Sequence, residues 1–421
     1  MDKFVIFGKK KLSGSVEIDG SKNAVLPVLA ASLLLERGPC VIENVPDLAD
    51  VHTMVQVMEH LGAKVEKDLA HKRLSVDASG VNKTEAPYEL VRKMRASFLV
   101  LGPLLGRFGK AKVSLPGGCV LGQRPVNLHL YGFSRMGAKF EEEAGYVIGE
   151  AKELSGATIF FDRPTHTGTE NIITGAVLAK GKTTIINAAC DPEVVDLASF
   201  LNKMGAKIEG AGTSQVTITG VKKLEPTEHK VIPDRLEAGT FLTAAAATGG
   251  YVELTNLCPT HLHMVLIKLA EMGVHLEINK NAIKAKGPAR LKAFNVVTFP
   301  YPGFPTDLQA QMMSLATVAN GTSHIRETVF EDRFTHAPEL ARLGAKIEIA
   351  HDEATVTGVE NLKGASIMAS DIRAGAGLVV AALAAEGKSE ILRVYHIDRG
   401  YHRIEEKLSH LGAEIKRARA D

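Results

Sequence analysis

The phrase Leu61-Gly62-Ala63-Lys64-Val65 returns five more times along this chain. It reads Met136-Gly137-Ala138-Lys139-Phe140, Met204-Gly205-Ala206-Lys207-Ile208, Met272-Gly273-Val274-His275-Leu276, Leu343-Gly344-Ala345-Lys346-Ile347 and Leu411-Gly412-Ala413-Glu414-Ile415. The six glycines are separated by 75, 68, 68, 71 and 68 residues. Such spacing makes the chain six copies of a unit of roughly 70 residues, and an internal repeat restricts the fold more than any single motif.

Each phrase follows an amphipathic helix. Val51, Met54, Val55, Met58 and Leu61 fall at helical spacing, as do Leu262, Val265, Leu266, Leu269 and Met272. The glycine then suits a helix C-cap, and the alternating residues beyond it predict a strand. A second kind of helix is predicted before each of these, over 23–34, 95–105, 169–179, 237–248, 307–319 and 373–385. Those segments are apolar nearly all round and rich in Ala and Gly, which predicts helices buried on every side. The expected fold is α/β, in two domains of three repeated units each, with buried helices inside and sheets outside.

At 421 residues the chain exceeds one ordinary core. Its 45% hydrophobic and 23% charged residues are normal for a folded protein. A net charge of +2 argues for neither a nucleic acid nor an anionic membrane as partner, so any basic site is local. Cys40, Cys119, Cys190 and Cys258 lie at least 68 residues apart with no metal-type pairing, which fits a reducing compartment. The start, Met1-Asp2-Lys3-Phe4, lacks a signal-peptide core, and the longest apolar runs are too short for a bilayer. The expectation is a cytoplasmic protein with no membrane, nucleic-acid or obligate protein partner.

The chemistry is most visible in Leu115-Pro116-Gly117-Gly118-Cys119-Val120-Leu121-Gly122-Gln123-Arg124. A glycine-rich loop that carries a thiol and a guanidinium suits proton handling near an anion. Read alone, it fits a surface hairpin with an incidental cysteine equally well. Cations recur at the starts of the buried helices: Lys22 on the first, Arg95 on the second and Arg373 on the sixth. A cation there opposes the helix dipole, and a bound anion would explain it. Asp307 opens the fifth buried helix, where plain N-capping competes with a functional role. Arg124, Arg333 and Arg399 lie in loops, and each alone reads as a surface arginine; their matching positions in several repeats favour a shared anion-binding cleft. The stretch from Gly175 to Thr183 mimics a P-loop but has five residues between its glycines, and His261 with His263 lack further ligands nearby. No metal site is expected.

With these residues assembled, the whole chain resembles the UDP-N-acetylglucosamine 1-carboxyvinyltransferases, the bacterial enolpyruvyl transferases of peptidoglycan synthesis. The resemblance rests on Gly20-Ser21-Lys22-Asn23-Ala24, Met94-Arg95-Ala96-Ser97, the loop ending at Arg124 and Phe304-Pro305-Thr306-Asp307-Leu308-Gln309-Ala310-Gln311. Glu327-Thr328-Val329-Phe330-Glu331-Asp332-Arg333-Phe334 and Tyr395-His396-Ile397-Asp398-Arg399-Gly400-Tyr401 complete it. It implies two inside-out α/β barrel domains, residues 22–230 and residues 1–21 with 231–421, the first strand of the chain completing the second domain. It also implies an active site in the cleft between them, with the Cys119 loop as lid.

The implied reaction adds the 3′-hydroxyl of UDP-N-acetylglucosamine to C2 of phosphoenolpyruvate, protonates C3, and then eliminates phosphate. By the same resemblance Asp307 is the base near that hydroxyl, and Cys119 is the proton donor at C3 and the residue that fosfomycin alkylates. Lys22, Arg124 and Arg399 hold the phosphate, Arg333 and Arg373 lie near the carboxylate, and Asn23 also faces phosphoenolpyruvate. Lys22 and Arg399 count with Cys119 and Asp307 as catalytic. Asn23, Arg95, Arg124, Pro125, Val126, Asn127, Leu128, Asp307 and Val329 are the implied sugar-nucleotide contacts. Two small-molecule substrates and no cofactor follow.

The chain departs from the family pattern at Asn127, where Asp is usual, and across Arg163-Pro164-Thr165-His166-Thr167-Gly168. Both changes touch nucleotide binding and neither touches the implied chemistry. Two other readings compete: a shikimate-pathway enolpyruvyl transferase, and a catalytically idle paralogue that binds the sugar nucleotide and regulates. The Cys119 loop argues against the first, and retention of the full charged set argues against the second.

Overall fold

All six repeat glycines adopt left-handed backbone. In the computed structural model, which describes residues 2–92, 94–115 and 126–419, their φ angles are 109° at Gly62, 97° at Gly137, 100° at Gly205, 95° at Gly273, 93° at Gly344 and 90° at Gly412. Each ends a helix: Ala49–Leu61, Asn127–Arg135, Pro192–Lys203, His263–Glu271, Ala337–Arg342 and Ile404–His410. A strand then begins within two residues, as in Lys64–Asp68 and Lys346–Ala350. Chain reversal at this point needs φ > 0, which glycine adopts without the Cβ penalty of other residues.

The described residues form two compact units, one of residues 20–115 and 126–232, the other of residues 2–19 and 233–419. Within the first, the helices Lys22–Ser32, Leu101–Phe108 and His166–Ala176 pack on one another. Within the second, Arg235–Thr248, Gln309–Thr317 and Ile372–Ala384 do the same. Most of their residues are buried on every face, as the all-round apolar composition requires. Close packing is bought with glycine: a Cβ on Gly102 would meet the Asn171 backbone oxygen at 2.4 Å, and one on Gly377 would meet Ala310 backbone atoms at 2.9 Å.

Around each trio lie three four-stranded sheets of one design. An outer strand runs parallel to a second, and the third and fourth are antiparallel, as in Asn295–Val297, Thr322–Arg326, Glu353–Thr357 and Lys346–Ala350. Alternate residues of the second strands are buried, such as Cys40 and Ile42 of Pro39–Glu43. Each unit is thus inside-out α/β, with helices at the centre.

Three sheets borrow a strand from far along the chain. Glu228–Lys230 pairs in parallel with Pro39–Glu43 in the first unit, and Ser13–Glu17 pairs in parallel with Tyr251–Thr255 in the second. Asp2–Phe7 lies between Lys388–Leu392 and Glu414–Arg419, with Phe4 opposite both Ile391 and Arg417. Two N-terminal strands, rather than one, therefore complete the second unit.

Several helix starts differ from the sequence expectation. Arg95 opens a 3-10 turn, Arg95–Val100, and the α-helix begins at Leu101. Pro103 lacks an N–H and clashes with the preceding turn, so it belongs in a first turn. Asp307 likewise lies in a 3-10 turn, Thr306–Leu308, ahead of Gln309–Thr317. The third buried helix starts earlier, at His166, where the Thr165 hydroxyl accepts from Gly168 N at 3.3 Å and caps it. Gly175 sits inside that helix against the Phe133 ring, not in a phosphate loop.

Candidate active-site clusters

In the second unit three segments converge on one carboxylate. Asp307 comes from the 3-10 turn, Arg333 from the stretch after Glu327, and Arg373 from the first turn of Ile372–Ala384. Arg333 Nη2 donates to Asp307 Oδ1 at 2.9 Å, and Arg373 Nε donates to Oδ2 at 3.2 Å. The Arg333 and Arg373 side chains are 5% and 6% exposed and that of Asp307 27%, so the carboxylate is the most accessible of the three.

Arg373 is itself held from below. Its Nη1 donates to the Tyr401 hydroxyl at 3.3 Å, and that oxygen lies 2.9 Å from Thr240 Oγ1. Gln311 Nε2 donates to both Thr240 Oγ1 and Tyr401 Oη, at 3.1 and 3.3 Å. Burial works against the Arg373 charge, but the hydrogen bond to Tyr401 and the Asp307 and Asp234 carboxylates outweigh it and raise its pKa, keeping it cationic. Burial also pushes the Tyr401 phenol up, so the hydroxyl remains a neutral donor and acceptor. Arg399 closes the 3-10 turn Val394–Arg399, which packs on Ile372–Ala384. Its neighbour Asp398 is engaged by Arg417 at 2.6 and 3.0 Å.

Asp307 is not an N-cap. The cap of its turn is Pro305, with no side-chain bond, and the carboxylate is spent on two arginines instead. Two of the three cations at helix starts, Lys22 and Arg373, also need no external anion to be accounted for. Lys22 Nζ lies 2.8 Å from Asp50 Oδ2, with both side chains largely buried, and Arg373 has Asp307. Protein carboxylates offset the unfavourable dipole. Asp371 does the capping at the sixth buried helix, accepting from Arg373 N and Ala374 N at 2.8 and 3.0 Å.

The first unit presents Lys22 and Asn23 at the start of Lys22–Ser32, with Arg95 on its 3-10 turn. Val126 is buried, and Asn127 and Leu128 open the helix Asn127–Arg135 with Asn127 exposed. Beneath them His129 is buried, with Asn171 Nδ2 3.0 Å from its Nδ1 and the Thr167 hydroxyl 3.3 Å from Nε2. Burial, helped by the Arg95 charge, pushes His129 down to about 3, so it is a neutral prop. His166 Nε2 lies 3.0 Å from Glu170 Oε1. Burial opposes its charge, yet Glu170, Asp191 and Glu193 raise it to about 10. Cys119, Arg124 and Pro125 lie outside the described residues.

Asp50, Tyr401, Thr240 and Gln311 escaped the sequence reading. Tyr401 and Gln311 stand inside motifs already singled out, so proximity to them was a usable signal. Thr240 and Asp50 lie inside helices and carried none.

The fold has close counterparts. The sequence matches the family described as EPSP synthase (3-phosphoshikimate 1-carboxyvinyltransferase) over residues 6–408. The structure superposes on the enolpyruvyl transferase NikO from Streptomyces tendae with a TM-score of 0.90, at 27% identity, covering 100% of this chain and 99% of that one. EPSP synthase from Acinetobacter baumannii shares the fold, with a TM-score of 0.75 at 18% identity over the full length of both chains. The class is therefore that of the enolpyruvyl transferases. UDP-N-acetylglucosamine 1-carboxyvinyltransferase of Desulfosudis oleivorans is 53% identical over 99% of both chains. That of Geobacter metallireducens is 52% identical over 100% of both. The chain belongs to the UDP-N-acetylglucosamine 1-carboxyvinyltransferase family.

Proposed function

We propose that this chain transfers the enolpyruvyl group of phosphoenolpyruvate to the 3′-hydroxyl of UDP-N-acetylglucosamine and releases phosphate, committing the sugar nucleotide to peptidoglycan synthesis in the cytoplasm. The observation that carries this reading is Asp307 bridged by Arg333 and Arg373. A carboxylate ion-paired twice is a weak base. An anionic substrate that takes the two guanidiniums releases Asp307 and makes it more basic as the reactants assemble.

In the addition step the 3′-oxygen bonds to C2 of phosphoenolpyruvate while its proton passes to Asp307. The C2–C3 π electrons take a proton at C3 from the Cys119 thiol. In the elimination step C3 returns a proton to the Cys119 thiolate, the double bond re-forms, and the bond from C2 to the phosphate oxygen breaks, the departing phosphate taking up the proton that Asp307 received. Lys22, Arg124 and Arg399 stabilise the departing phosphate, and Arg333 and Arg373 hold the carboxylate beside Asn23. Arg95, Val126, Asn127, Leu128 and Val329 with Pro125 receive the sugar nucleotide. In this reading residues 22–230 form one working domain and residues 1–21 with 231–421 the other. The substrates are small molecules; among the described residues no helix is long and apolar enough to cross a membrane.

Phosphate release from phosphoenolpyruvate, with and without UDP-N-acetylglucosamine, tests the reading in wild type and Cys119→Ala. Release that requires the sugar nucleotide and collapses in the variant supports it. Sugar-nucleotide binding without release points to an idle paralogue, and release with shikimate 3-phosphate instead points to the shikimate-type enzyme.

A further inference from the structure

Glu327 follows the strand Thr322–Arg326 and is 2% exposed. Burying a carboxylate is costly unless its lone pairs are filled. Here they are filled by neutral donors from three segments. Oε1 accepts from Thr298 Oγ1 at 2.8 Å, Val329 N at 2.9 Å and Phe330 N at 3.1 Å. Oε2 accepts from Thr306 Oγ1 at 2.8 Å. The Thr298 hydroxyl also accepts from Thr328 N at 3.0 Å, which ties the same segments a second time.

Two of these segments carry residues of the proposed site. Thr306 precedes Asp307 in the 3-10 turn Thr306–Leu308, and Val329 is a proposed sugar-nucleotide contact. An apolar side chain at 327 would leave two amides and two hydroxyls without their acceptor. We infer that Glu327 is a positioning residue for the transfer reaction, holding the turn of the base Asp307 and the Val329 segment in one fixed register. This inference rests on the function proposed above. Its leverage is geometric: a displacement of about 1 Å in a reacting constellation can cost roughly 100-fold in rate.

Glu327→Gln and Glu327→Leu separate geometry from charge. A glutamine carbonyl can still accept from Val329 N and Phe330 N, while its amide donates to the rotatable Thr306 hydroxyl. Glu327→Leu loses every bond. Glu327→Leu is expected to lower kcat and raise KM for UDP-N-acetylglucosamine, each by about 10-fold or more, and Glu327→Gln to remain within a few-fold of wild type. In an Asp307→Asn background the kcat effect of Glu327→Leu should shrink, because no base is left to misplace, while the KM effect persists. A thermal melt and the folded fraction of each sample keep loss of fold apart from loss of register. Folded Glu327→Leu with unchanged kcat and KM overturns the inference, and so does a Glu327→Gln variant as impaired as Glu327→Leu. Wild type that releases no phosphate overturns the functional reading instead. Amide exchange at 306–308 and 328–330 then still decides the positioning role: faster exchange in both segments of Glu327→Leu supports it, and unchanged exchange overturns it.

Discussion

A carboxylate between two arginines is stabilised as an anion, so Asp307 can act as a base only when those partners are diverted. Asp307→Asn keeps a hydrogen-bond acceptor for one guanidinium and removes the proton acceptor. A general base contributes roughly 10²–10⁴-fold, and kcat for phosphate release should fall by about that factor. Tyr401 has a different task, because its hydroxyl orients Arg373 and reaches no substrate in the proposed scheme. Tyr401→Phe keeps the ring that lies 5.7 Å from the Arg373 guanidinium and loses the hydroxyl, with its bonds to Arg373, Thr240 and Gln311; of these the Arg373 bond acts directly on the anion-binding arginine. One such bond contributes about 0.5–1.5 kcal/mol, so KM for phosphoenolpyruvate should rise about 2–10-fold with little change in kcat. Thr240→Val should weaken the same site, and the two changes together should cost less than their sum if they act through one network. Steady-state kinetics of the two single variants and the double variant provide the check. The sequence exposed Asp307, Arg333 and Arg373 as charged residues in distinctive phrases. It could not expose their pairing, because 26 and 66 residues separate the two arginines from the aspartate.

Among the elements, the repeat glycines and the packing glycines do different work and should fail differently. Nothing lies within 4 Å of a Cβ placed on Gly344, so Gly344→Ala meets only the strain of φ 93°. That strain is worth about 1–2 kcal/mol. Gly102→Ala should cost more. Its Cβ would fall 2.4 Å from both Asn171 backbone oxygen and Oδ1, displacing the side chain that bonds Gly102 N and lies against His129. Urea midpoints of the two variants test the order, and a Gly102→Ala protein as stable as Gly344→Ala would contradict it. Helix type and position were legible in the sequence because both rest on local periodicity. Helix starts were less so, since 3-10 turns at Arg95 and Thr306 reflect proline placement and tertiary contacts.

At the scale of the whole molecule, both units bury neutral histidines. His129 in the first is pushed down to about 3 and His336 in the second to about 4, burial being the main cause in each case. A depressed folded-state pKa means that the unfolded chain binds the proton first. The stability tied to these two groups is therefore full above about pH 6.5 and is lost as pH falls from there toward 3–4. His129→Gln should flatten the pH dependence of unfolding between pH 6 and 4 by up to about one proton, read from urea curves. Strand borrowing gives a second expectation. The three sheets of residues 20–232 use only their own strands, whereas two sheets of the other unit need Asp2–Phe7 and Ser13–Glu17. A fragment of residues 233–421 should remain unfolded by circular dichroism, and adding a peptide of residues 1–19 should restore its β signal.

The sequence by itself determined the sixfold repeat, the two kinds of helix, the glycine reversals and the residue types of the charged set. These are matters of local pattern, in which side-chain periodicity and backbone conformation are set by near neighbours. Only the tertiary structure decided that Asp2–Phe7 is an inner strand of the last sheet, that Asp50 answers Lys22, and that Asp307 is clasped by two buried arginines rather than capping a helix. Those pairings join residues far apart in the chain. Their free energy depends on burial and on opposed charges meeting away from water, conditions that exist only once the chain has folded.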